Sequence, residues 1–222
     1  MERLQQKIQA NRDVVRRSKF FNEIKSSIDV PFTCIRCLAL GSPTQSSDSR
    51  YQYALLLELI DWLGGTNVSI YDPVFTEDDK QLFGSFSIEE TFDLPQDQNV
   101  LFYIPHLPLE VMEQVVNNEQ PVYFLGNDVI VHTDRLTKRK LAELYPSMAV
   151  MVQYSSNDSK LDDGFTKVAK TRKLYKEPEV TYNFDSVYFK KVEIVRYQNN
   201  FNKSDPWGNS FSDLALHRLV TK

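Results

Sequence analysis

Glycine is scarce in this chain, seven in 222 residues. That scarcity excludes the loops in which a bare backbone wraps a phosphate or a dinucleotide. Neither a Gly-x-Gly-x-x-Gly fingerprint nor a Gly-x-x-x-x-Gly-Lys phosphate loop occurs. Cysteine is scarcer still. Cys34 and Cys37 stand alone, too few for a disulfide framework and lacking the second ligand pair of a zinc knuckle, so no metal site is expected. Long apolar runs are missing as well. The longest, around Ala54–Ile60, already contains Glu58 and falls far short of the roughly 18–20 residues that cross a bilayer. Positive charge is not in excess: a formal net charge of -4 argues against attraction of the whole surface to nucleic acid or anionic lipid. Neither nucleic acid nor membrane is expected as a partner. Two cysteines and no secretory signal point to a reducing compartment, cytoplasmic with the nucleus as a second location.

What is present suffices for one good core, because 41% hydrophobic and 12% aromatic residues exclude a disordered chain. Residues 1–30 read as an amphipathic leading helix, with Leu4, Ile8 and Val15 near one stripe. From Pro31 onward, strand and helix alternate. Cys34–Leu40 reads as a central strand, on which two cysteines three apart point to opposite faces. Tyr51–Leu63 reads as a helix, capped by Ser46, Ser47 or Asp48 and stopped by Gly64-Gly65. Further strands fall at Val68–Tyr71, Phe86–Ile88, Val100–Ile104 and Pro121–Leu125. Helices follow Thr76 and cover Leu109–Asn117 and Leu136–Tyr145, the last stopped by Pro146. Two late strands, Ser186–Tyr197 and Leu214–Val220, read as an antiparallel pair at the sheet edge. The pattern predicts an α/β fold: a three-layer Rossmann-like domain over residues 31–222, mostly parallel with a C-terminal antiparallel strand pair. A polar excursion at about 155–179 interrupts it, with basic residues at Lys167, Lys170, Arg172, Lys173 and Lys176. The segment Lys167–Lys176 is either a solvated face or a docking patch for an acidic protein partner.

In such sheets the ligand crevice lies beyond the carboxyl ends of the strands. Here those ends carry polar punctuation: Gly41-Ser42, Asp72-Pro73, Pro105-His106 and Gly126-Asn127. Gly41, Ser42, Asp72, His106 and Asn127 are therefore the candidate residues for a small-molecule ligand. Each has a plainer reading beside it. The serines before the helix receive an anion or merely cap it, and Asp72 accepts ribose hydroxyls or only starts a turn. His106, stiffened between Pro105 and Pro108, is the candidate catalytic base or a member of a tight turn. Asn127 holds a ligand or ties its own loop. Asp213 and His217, four apart on a strand, either pair or face the core together, and His132 has no legible partner. No single cofactor follows from these residues.

In chain order, several segments carry a likeness to a known family: Cys37-Leu-Ala-Leu-Gly-Ser42, Tyr51-Gln-Tyr-Ala-Leu-Leu56, Tyr71-Asp-Pro-Val-Phe75, Phe102-Tyr-Ile-Pro-His106 and Leu125-Gly-Asn127. Phe211-Ser-Asp-Leu-Ala-Leu-His217 follows near the end. Together they resemble the sensitivity-to-red-light-reduced (SRR-like) family, over Pro31–Val131 and again near Trp207–Leu219. The resemblance implies a Rossmann-type domain with family positions at Gly41, Ser42, Asp72, Pro73, Pro105, His106, Gly126, Asn127, Asp213 and His217. It also implies a regulatory protein without an established reaction. The processes linked to the family are circadian and light-input regulation, regulation of haem synthesis, and microtubule-related functions. The alternative is a Rossmann-like enzyme or cofactor-binding protein that uses S-adenosylmethionine or a nucleotide at the strand-end crevice.

Overall fold

The computed structural model describes residues 1–93, 99–158, 179–197 and 205–222. Its helices and strands are α1 (Glu2–Arg17), α2 (Lys19–Ser27), β1 (Cys34–Leu38), α3 (Ser47–Leu63), β2 (Asn67–Tyr71), α4 (Glu77–Phe83), β3 (Ser87–Ile88), β4 (Val100–Ile104), α5 (Leu109–Asn118), β5 (Tyr123–Asn127), α6 (Val129–Thr133), α7 (Lys138–Leu144), α8 (Pro146–Asp158), β6 (Phe189–Arg196) and β7 (Leu214–Thr221).

The strands form one sheet in the order β3-β2-β1-β4-β5-β7-β6. β1 to β5 pair in parallel. β7 pairs antiparallel with both β5 and β6, so β7 alone runs against the rest. Winding goes outward from β1 to β3, then restarts at β4 on the other side. That reversal, between β1 and β4, is where crossovers leave on opposite faces and open a crevice.

Helices cover both faces, which is why β1 and β4 are buried along their whole length. Ile35, Cys37, Leu101 and Tyr103 pack beneath α1, α2, α3 and α4, whereas Cys34, Leu38, Phe102 and Ile104 pack beneath α5, α7 and α8. The two thiols thus lie on opposite faces, both free and buried, as a separation of three on a strand requires. Burial pushes the Cys37 thiol far up, which keeps it inert.

Local signals explain the helix ends. Ser46 accepts the Ser49 N–H at the start of α3, and Gly64 closes that helix in the left-handed region. Thr76 and Asp79 form a reciprocal capping box at α4.

One expectation is corrected and two details are added. The leading segment is two helices, because Ser18 turns extended (φ -72°, ψ 148°) and its hydroxyl caps α2 by accepting the Phe21 N–H. Pro146 follows the end of α7 at Leu144, as expected of a stop, and also opens α8, since proline suits the first helical turn, whose N–H groups have no intrahelical partner. The short helix α6, missed in sequence, starts at Asp128, whose carboxylate accepts the Ile130 N–H.

α8 also carries helix through Asp158, and the basic residues Lys167, Lys170, Arg172, Lys173 and Lys176 lie outside the described residues. Among the described residues, no helix is long and apolar enough to cross a membrane. α1 is held to α3 by Glu58, which is 3% exposed and accepts from Arg12 Nε at 2.7 Å and Arg16 Nε at 2.8 Å. Burial works to raise the Glu58 pKa, but the two guanidinium groups outweigh it and hold the carboxyl below its ordinary range.

Candidate functional site

Where the winding reverses, the sheet opens into a cavity of about 770 Å³, large enough for a cofactor-sized molecule. The end of β1 contributes Leu38 to Gly41, and the first half of α3 contributes Ser46, Asp48, Ser49 and Gln52. The turn after β2 adds Tyr71 to Val74, and Glu90 stands just past β3. His106, Leu107 and Pro108 follow β4, with Val111 of α5 beside them.

The backbone is contorted on the β1 side. Gly41 has φ +71°, and a Cβ there would stand 2.3 Å from Ser49 Oγ, so the position admits little but glycine. Ala39 also sits at positive φ, +52°, an uncommon strain for a residue with a side chain. Asp72 fastens this loop to the neighbouring strand. Its Oδ2 accepts the Gly41 N–H at 2.8 Å and its Oδ1 accepts the Val74 N–H at 3.1 Å. Each oxygen retains a lone pair for a further donor.

Charge on the wall has one sign. Asp48, Asp72 and Glu90 line the cavity, and among the described residues no lysine or arginine does. Against the described wall a polyphosphate would meet repulsion, with no described cation to neutralise it.

The structure brings Gly41, Asp72 and His106 onto one wall and leaves Ser42 and Asn127 off it. Ser42 turns toward α4: its hydroxyl lies 3.1 Å from Thr44 Oγ1 and hydrogen-bonds to the buried Asp79. Asp79 also accepts the Thr44 and Thr76 N–H groups, at 3.0 and 2.9 Å. Burial favours the neutral acid, but these bonds win and lower its pKa. Ser42 therefore braces the loop, one of the uses open to a polar residue before a helix.

Asp48, Gln52 and Glu90 are wall residues that the strand-end reading missed. Gln52 had a signal, a polar residue within the apolar face of a helix. It is 2% exposed, donates to the Ser210 carbonyl at 3.2 Å, and accepts the Tyr103 hydroxyl on its main-chain oxygen. Glu90 had none, since nothing in its neighbours places a chain segment at a wall.

The match to a family model decides the affiliation: the SRR1 domain model fits residues 4–218. The chain belongs to the SRR1 family. No curated protein matches the chain. Among solved structures, the SRR1 chain is similar to the crystal structure of human N-acetylserotonin methyltransferase in complex with SAM, at 16% identity and a TM-score of 0.42. That match covers 99% of this chain and 56% of the other, so the SRR1 chain spans a little over half of that protein's length.

Asn127, Asp213 and His217 of the SRR1 chain form a clamp between the end of β5 and β7. Asn127 Nδ2 donates to Asp213 Oδ2 at 2.8 Å, and the Asp128 N–H donates to the Asp213 carbonyl at 2.7 Å. One residue on, the Val129 N–H donates to His217 Nε2 at 3.2 Å. Asp213 thus precedes β7 and takes Asn127 as its partner, not His217, while His217 faces the core and stacks on Phe124 at 4.0 Å. Burial pulls the His217 pKa down to about 4 against the opposing charge of Asp128. The neutral ring holds its proton on Nδ1, 3.3 Å from the Ala215 carbonyl. His132 also has a partner: its Nε2 donates to the Leu107 carbonyl at 3.1 Å.

Proposed function

We propose that this SRR1 domain is a regulatory module that binds a neutral or cationic nucleoside-class molecule, S-adenosylmethionine foremost, in the cavity at the reversal of the sheet. One observation carries the reading: the wall joins Gly41 with three carboxylates, Asp48, Asp72 and Glu90, and no described lysine or arginine. An acid just past β2 is placed to accept ribose hydroxyls. The left-handed Gly41 leaves the backbone bare at that point. The charge pattern opposes nucleoside polyphosphates and suits a sulfonium or amine cation. S-Adenosylmethionine would be held by Gly41 and Asp72 and would supply an electrophilic methyl group. In this reading Ser42 and Asn127 act at one remove, by shaping the loops.

The processes linked to the family, in circadian, haem and microtubule regulation, would then be outputs of ligand state. The basic segment Lys167–Lys176 would be a docking patch that transmits it. His106 on the cavity wall favours a second reading, an enzyme with His106 as base. Turnover of bound ligand that disappears in His106→Gln would select that reading.

Isothermal titration of the full chain tests the proposal. S-Adenosylmethionine should bind and ATP should give no heat. Asp72→Asn should weaken binding by roughly ten- to a hundredfold, the value of a hydrogen bond to a charged group, with the thermal midpoint measured alongside. Tighter binding of ATP, or silence with every nucleoside, would overturn the assignment.

A further inference from the structure

Arg36 is an unusual occupant for the middle of β1, fully buried on a central strand. A guanidinium there needs partners for its donors. Nη1 donates to Ser69 Oγ at 2.9 Å and to the Glu89 carbonyl at 2.8 Å, and Nη2 donates to the Glu90 carbonyl at 2.9 Å. The nearest acid, Glu119, is farther away at 3.4 Å, and the ring of Phe92 lies 5.2 Å from the guanidinium. The closest bonds therefore go to Ser69 and to the main chain just past β3.

β3 pairs with β2 over only two residues, so the sheet alone gives the following segment little support. Arg36 supplies the missing anchorage and fixes the backbone at the point where Glu90 joins the cavity wall. The three wall acids differ in what they already hold. Asp72 accepts two main-chain N–H groups, and Asp48 accepts the Ser210 hydroxyl at 3.1 Å. The Glu90 carboxylate accepts from none of the described residues.

We infer that Glu90 is the residue by which the cavity selects a positively charged ligand, and that Arg36 is the positioning residue that keeps Glu90 on the wall. The inference deepens the S-adenosylmethionine reading and rests on it. A carboxylate with acceptor capacity unused by the described residues, on a segment locked by a buried cation, presents negative charge with no described side-chain partner to compete for it.

The test uses calorimetry on the full chain with two probes, S-adenosylmethionine and S-adenosylhomocysteine, which lacks the sulfonium charge. Glu90→Gln, a change at an exposed position, should weaken the first about fivefold and leave the second within about twofold. Arg36→Met, an apolar replacement for a buried ion, should produce the same loss. The double variant should be no weaker than either single one. If Arg36→Met does not fold, Arg36→Lys serves, since a lysine cannot span both carbonyls. Equal effects of Glu90→Gln on both probes, no effect on either, or losses that add in the double variant would overturn the inference. Those outcomes leave S-adenosylmethionine binding by the wild type intact, whereas failure of the wild type to bind either probe overturns the proposed function as well.

Discussion

Gly126→Val should unfold most of the protein at ambient temperature, and Gly126→Ala should cost about 3 kcal/mol. Gly126 lies on β5 opposite Ile104 of β4. A Cβ at Gly126 would stand 2.6 Å from Ile104 Cγ1 and 2.8 Å from the Ile104 main-chain oxygen. A side chain can rotate away, but the carbonyl belongs to a buried central strand and cannot. Overpacking in cores typically costs about 1–3 kcal/mol, and contact with backbone places Gly126→Ala at the upper end. For a chain of this length, that corresponds to about 6–12 °C in thermal midpoint. Urea unfolding of Gly126→Ala beside the wild type measures the cost. A cost below about 1 kcal/mol would show that β4 and β5 are not packed this closely.

Acid should weaken the fold earlier than its carboxylates require, and His217 is the reason. Burial depresses its pKa to about 4, so the unfolded chain binds a proton that the folded chain refuses. The sign follows from that difference. Stability is at its full value above the unfolded pKa of about 6.5 and declines as pH falls from there toward about 4. The expected loss is about 2–3 kcal/mol across that range. His132, lowered by burial as well, adds with the same sign. Glu58 and Asp79 lie below their ordinary range, so their stabilisation fades only at more acidic pH, which separates the two effects. His217→Gln retains a carbonyl to accept the Val129 N–H and removes the titration. Urea unfolding between about pH 7 and about pH 4.5 should show a much shallower slope for this variant. An identical slope in wild type and variant would mean that His217 is not buried neutral.

The strands were legible because burial on two faces leaves a short apolar run ended by turn residues, as at Cys34–Leu38 and Val100–Ile104. The position of β7 between β5 and β6 was not, since an antiparallel pair reads the same whichever member lies at the edge. α6 escaped because five residues are too short to show a helical period. At the cavity, Gly41, Asp72 and His106 were legible because strand ends in a parallel sheet share one rim. Ser42 and Asn127 share that rim in sequence, but their side chains turn to Asp79 and Asp213. Direction at a strand end depends on neighbours distant in the chain. Arg36 was hidden for the same reason: its partners lie beyond another strand, and no local pattern marks a buried guanidinium.

The most direct measurement is a nitrogen–proton NMR titration of the full chain with S-adenosylmethionine. Binding in the cavity predicts the largest amide shifts at Gly41, Ser49, Asp72 and Val74, with little change along β6. Shifts confined to the second groove, lined by Lys19, Asn22 and Ser26 of α2 and Val195 to Tyr197 at the end of β6, or none at saturating ligand, would contradict it.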